Sequence, residues 1–98
     1  MKIYGNKAGK VDVYEIENTL EAMQDFVGGY IEPLNLGNNL IMMFDEEARF
    51  KGKQVTTILM TPIMTIEIRG DYFVARQSGS ELIGLTDSDI KYLKKKGL

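Results

Sequence analysis

Ninety-eight residues, 44% of them apolar and 27% charged, suffice for one domain with a single modest core and do not have the composition of a disordered chain. Twelve basic against fourteen acidic side chains leave a formal net charge of −2, which argues against direct nucleic-acid binding and is too weak for imitation of DNA by charge. The chain has no cysteine and no histidine, which excludes disulfides, thiolate zinc sites, cysteine nucleophiles and any Ser-His triad.

The first elements read as β. Lys2-Ile-Tyr4 is a short strand and Lys7-Ala-Gly-Lys10 the turn of a hairpin. Val11, Val13 and Glu15 then alternate with Asp12, Tyr14 and Ile16 in a second, half-buried strand. The opening residues lack the long apolar segment of a signal peptide, and no later run reaches membrane-spanning length. A soluble cytoplasmic protein is the expectation.

Thr19 to Val27 has helical spacing. Asn18 is expected to cap it, with Glu21 reaching back to close a capping box. Leu20, Met23 and Val27 line one face, with Phe26 at its edge. Gly28 supplies the left-handed residue that ends a helix, Gly29 lets the chain reverse, and Tyr30 and Ile31 resume an extended backbone.

Tyr30 to Leu36 is expected as a strand, and Pro33, which has no amide hydrogen, places it at an edge or a bulge. Gly37-Asn38-Asn39 should return the chain as a hairpin through Leu40-Ile-Met-Met-Phe44. That run is apolar on both faces, so it belongs at a sheet centre or has one face in a subunit interface. Asp45 to Lys53 reads as a polar loop. Val55 to Met60 is a strand that Thr61-Pro62 interrupts.

Met64, Ile66 and Ile68 then alternate with Thr65, Glu67 and Arg69. Arg69-Gly70-Asp71 reads as a turn, with Tyr72 to Arg76 as the hairpin partner and Gln77 to Ser80 as a loop. Thr86 caps a last helix, Asp89 completes a capping box, Ile90 and Leu93 face inward, and Lys94 to Lys96 sit on the negative end of the helix dipole. The sum is an α+β fold over residues 1–98: an antiparallel β-sheet of five to seven strands with two short α-helices packed on it.

Few residues offer chemistry. Asp45-Glu46-Glu47, with Glu32, is the one acidic cluster; lacking spaced oxygen ligands, it reads as a solvated turn, and no catalytic or metal-binding residue and no cofactor is assigned. Gly5-x-x-x-Gly9-Lys10 is one residue short of a phosphate loop, lacks the following Ser or Thr, and precedes a strand. Gly28-Gly29 ends a helix, whereas an anion needs the amides of a helix start. Arg49, Arg69 and Arg76, with Asp71 and Tyr72 nearby, are the candidate ligand- or partner-binding residues. Arginine beside an aromatic can clamp a nucleotide, although Arg69 can equally pair with Glu67 or Asp71 at the surface. Lys91 with Lys94 to Lys96 is read as helix-end charge complementation. Met42, Met43, Met60 and Met64 suit either core filling or an adaptable contact surface.

Leu20-Glu-x-Met-Gln24 followed by Val27-Gly-Gly-Tyr-Ile-Glu32 resembles the signature of a family of unknown function, number 3846, found on phages, prophages, plasmids and integrative elements. Flanking segments agree: Val13-Tyr-Glu-Ile16, Asp45-Glu46-Glu47, Lys51-Gly52, Gly70-Asp-Tyr-Phe-Val74 and Leu85-Thr-Asp-x-Asp-Ile90. Such relatives usually carry Gly-Leu-Pro and then Asn after the acidic turn; here the place reads Gly52-Lys-Gln-Val55. The resemblance marks Gly28, Gly29, Tyr30 and Glu32 as structural motif residues. It implies a small, non-enzymatic accessory protein in the host cytoplasm that counters host defence by gripping an effector such as a CRISPR nuclease. An oligomeric sponge for a nucleotide-type immune signal, or a regulatory module of the mobile element itself, are the alternatives.

Overall fold

The computed structural model describes residues 1–98. Its chain order is β1 (Lys2–Lys7), β2 (Lys10–Glu15), α1 (Leu20–Val27), β3 (Ile31–Gly37), β4 (Leu40–Asp45), β5 (Val55–Met60), β6 (Thr65–Arg69), β7 (Tyr72–Ser78), β8 (Glu81–Ile83) and α2 (Asp87–Lys95). Six strands form one antiparallel sheet in the order β2-β1-β7-β4-β3, with β8 pairing the far end of β7. β5 and β6 pair only with each other. The α+β class and the two helices follow the sequence reading.

Apolar patterning explains the strand order. β4 and the first part of β7 are buried on both faces, and such strands belong at a sheet centre. Ile41, Met43, Phe73 and Ala75 join Ile3 and the α1 residues Met23, Phe26 and Val27 in a core on one face. Leu40, Met42, Tyr72 and Val74 join Tyr4, Ile68, Leu85 and Leu93 on the other, where β6 and α2 cover them. β3 carries Pro33 and lies at the sheet edge, with a register shift between Asn35 and Gly37. Asn38 and Asn39, both at positive φ, make the two-residue turn that delivers β4.

Several expectations are corrected. Tyr72 to Arg76 is not the partner of β6: a strand apolar on both sides inserts between β1 and β4, whereas the half-apolar β6 can only lie over the sheet. Asn18 does not cap α1. Thr19 does, its Oγ1 accepting the Ala22 amide at 3.1 Å, while Asn18 Nδ2 donates to the Leu82 carbonyl at 2.8 Å. The helix therefore starts one residue late, and Leu20 turns outward, 57% exposed, while Phe26 is core rather than edge. Part of the expected Gln77–Ser80 loop is also strand, since β7 runs to Ser78 and turns into β8.

Gly5 owes its place to packing rather than to phosphate. It sits opposite Phe73, and a Cβ there would lie 2.0 Å from the Tyr72 carbonyl oxygen. α2 forms as read: Thr86 Oγ1 accepts the Asp89 amide at 3.1 Å, and Asp89 Oδ2 accepts the Thr86 amide at 2.9 Å.

Candidate functional site

The turn after α1 is held by several side-chain and backbone hydrogen bonds. α1 has no basic residue in its last turn, so its terminal carbonyls need donors from elsewhere. Three lysines supply them: Lys7 Nζ to Phe26 O at 2.7 Å, Lys53 Nζ to Val27 O at 3.0 Å, and Lys51 Nζ to Gly28 O at 3.1 Å. Gly28 takes the left-handed conformation at φ 76° and donates its amide to Gln24 O. Gly29 is held bare by Asp45, since a Cβ would meet the Asp45 Oδ1 at 2.5 Å.

Asp45 corrects the reading of a solvated acidic turn. Its side chain is fully buried, with Oδ2 at 2.7 Å from Lys51 and 2.8 Å from Lys53. Oδ1 accepts the Glu47 amide at 2.9 Å. Burial opposes the charge, but the two ammonium groups and the amide outweigh it and hold the carboxyl at about 2. Lys51 is correspondingly raised by its hydrogen bond to Asp45. Lys51 and Lys53 each join Asp45 to a carbonyl at the end of α1, so the cluster acts as a staple between α1 and the β4–β5 connection. Glu32, Glu46 and Glu47 are exposed around it, Tyr30 is exposed beside it, and no three acidic side chains converge as metal ligands.

The candidate ligand residues are dispersed. Arg76, from β7, reaches Asp89 of α2, with Nε at 2.9 Å from Oδ2 and Nη2 on Oδ1. That hydrogen bonding lowers Asp89 to about 2 and raises Arg76. Tyr72 is buried, and burial pushes its hydroxyl up. Asp71 accepts the Ala8 amide at 2.8 Å and lies 3.3 Å from Lys7, tying the β1–β2 turn to the start of β7. Only Arg49 and Arg69 share a space, an open cavity of about 560 Å³ along β6 with Ala48 and Met64. Arg69 there donates to Lys53 O at 3.0 Å and to Glu67 at 3.5 Å.

The chain matches, over residues 1–97, the family described as "Domain of unknown function (DUF3846)". It is a member of the DUF3846 family. No curated protein and no solved structure is significantly similar to it. Within this DUF3846 chain the Val27-Gly-Gly-Tyr-Ile-Glu32 signature coincides with the lysine-capped helix end, a role that accounts for both glycines without any ligand.

Exposed large apolar side chains are concentrated around β5–β6. Six of the eleven exposed large apolar residues fall between Phe50 and Met64. Phe50 is 88% exposed, Met60 84%, Ile63 89% and Met64 56%. The methionines thus divide: Met42 and Met43 fill the two cores, whereas Met60 and Met64 stand in water. Leu59, Ile66 and Ile68 seat the inner side of the hairpin on the sheet. No helix of this DUF3846 chain is long and apolar enough to cross a membrane.

Proposed function

We propose that this chain is a binding protein that a mobile element uses in the bacterial cytoplasm to hold and block a host defence effector, a CRISPR nuclease or a similar protein. The observation that carries the reading is the concentration of solvent-facing Phe50, Met60, Ile63 and Met64 on and beside one hairpin. Exposed apolar side chains gathered at one place favour protein contact, and methionine adapts to an irregular partner. The kind of partner comes from the resemblance to a family borne by phages and plasmids. Holding rather than turnover is favoured because the chain lacks His and Cys, and its two most strongly acidified carboxylates are each committed to an ion pair.

The nucleotide sponge draws support only from the Arg49–Arg69 cavity, where Glu67 stands beside Arg69 and opposes a phosphate. Both readings meet one experiment. The chain is expressed in a host with an active CRISPR nuclease, phage plating efficiency is measured, and the purified protein is tested for co-elution with the nuclease. Wild-type protein should raise plating and co-elute; Ile63→Asp with Met64→Asp should abolish both at unchanged Tm. Thermal stabilisation by nucleotides without co-elution would replace blockade with the sponge.

A further inference from the structure

A second surface, which meets the first at Met60, supports a narrower assignment. Between β5 and the last turn of α2 runs a groove of about 400 Å³, walled by Leu36, Ile58, Leu59, Tyr92 and Leu98. Four consecutive residues, Ile58 to Thr61, border it. β5 pairs with β6 alone, so the opposite edge of the strand keeps unpaired amides and carbonyls. Lys96 stands on the rim with its Nζ 5.5 Å from the centre of the Tyr92 ring, and Lys91, Lys94 and Lys95 are exposed on the same helix. No Asp or Glu side chain lines the groove.

We propose that this groove receives an extended acidic segment of a partner protein, added as a third strand on the free edge of β5. The partner's backbone would pair with the open strand edge, alternate apolar side chains would enter the groove, and a carboxylate would face Lys96. Charge complementarity selects the occupant: apolar walls with Lys96 on the rim, at a helix end that carries three further exposed lysines, suit a peptide that is both apolar and acidic. A nucleic acid would gain the lysines but leave the apolar walls uncovered. The assignment deepens the binding reading above and takes from it only that the chain holds a protein.

The test pans a displayed library of random peptides, about 12 residues long to span one strand, against the purified full chain. Enriched peptides should carry net negative charge with apolar residues at every second position. A synthetic peptide of that kind should bind saturably and more weakly at high salt. Lys95→Glu with Lys96→Glu should weaken it roughly tenfold, and Ile58→Ser should weaken it independently of charge. The Ile63→Asp, Met64→Asp variant should bind it unchanged, so blockade by the hairpin tip and capture by the groove can fail separately. Enrichment of basic sequences, unaltered affinity in the groove variants, preference for a single-stranded oligonucleotide, or self-association protecting the Ile58 and Met60 amides would each overturn the assignment.

Discussion

At the scale of single residues, Asp45 decides what can stand at position 29. Its carboxylate is buried, fixed by two ammonium groups and an amide, and cannot swing aside as a surface side chain would. A methyl group on residue 29 would lie 2.5 Å from Oδ1 and 2.7 Å from Lys51 Nζ. Gly29→Ala should therefore lose about 2–3 kcal/mol through overpacking and a disturbed ion pair, or roughly 10–20 °C in Tm for a domain of this size. The variant made in an Asp45→Ala background should lose far less, because the obstructing group is gone. Equal penalties in the two backgrounds, read from thermal melts, would mean that Asp45 is not what excludes the side chain.

At the scale of elements, covering pieces and central pieces should differ in stability. β4 and β7 are buried on both faces and bonded on both edges, while the β5–β6 hairpin has one buried face and two open edges. Native-state hydrogen exchange should show β7 amides opening only with global unfolding and β5–β6 amides opening at lower free energy. Matching protection in the two would contradict this division. The same difference explains what the sequence could show. The Thr86–Asp89 capping box is legible because both partners lie within one turn, and the double-sided apolar run at Leu40–Phe44 announces a central strand. Adjacency in sequence favours pairing β7 with β6 as a hairpin, whereas burial on both faces favours its insertion between β1 and β4. Asp45 gave no signal, since its partners Lys51 and Lys53 and the helix end they cap become neighbours only once α1 docks. Arg76 likewise reads as a candidate binding residue because its partner Asp89 lies 13 residues away. Excess methionine suits either core filling or a contact surface, and only burial shows that two of the four serve the cores and two face solvent.

At the scale of the whole molecule, one sheet carries a core on each face, and each face keeps its helix through a buried aspartate. Asp45 with Lys51 and Lys53 holds the end of α1, and Asp89 with Arg76 holds the start of α2. Both carboxyls sit at about 2 in the folded chain, below the ordinary 3.8. A lowered folded value means that the unfolded chain takes up protons first. The stability each supplies is thus complete above 3.8 and drains away as pH falls toward about 2. Acid should loosen both helices together, with Tm falling by roughly 10 °C or more between about pH 5 and about pH 2. Protonating the fourteen acidic side chains also leaves twelve basic ones unopposed, and that repulsion adds a second, salt-sensitive slope. The two contributions separate in the variants. Asp45→Asn and Asp89→Asn should each be less stable at neutral pH yet show a shallower acid slope. The double variant should retain only the part that added salt removes; a double variant with the full wild-type slope at high salt would locate the acid sensitivity elsewhere.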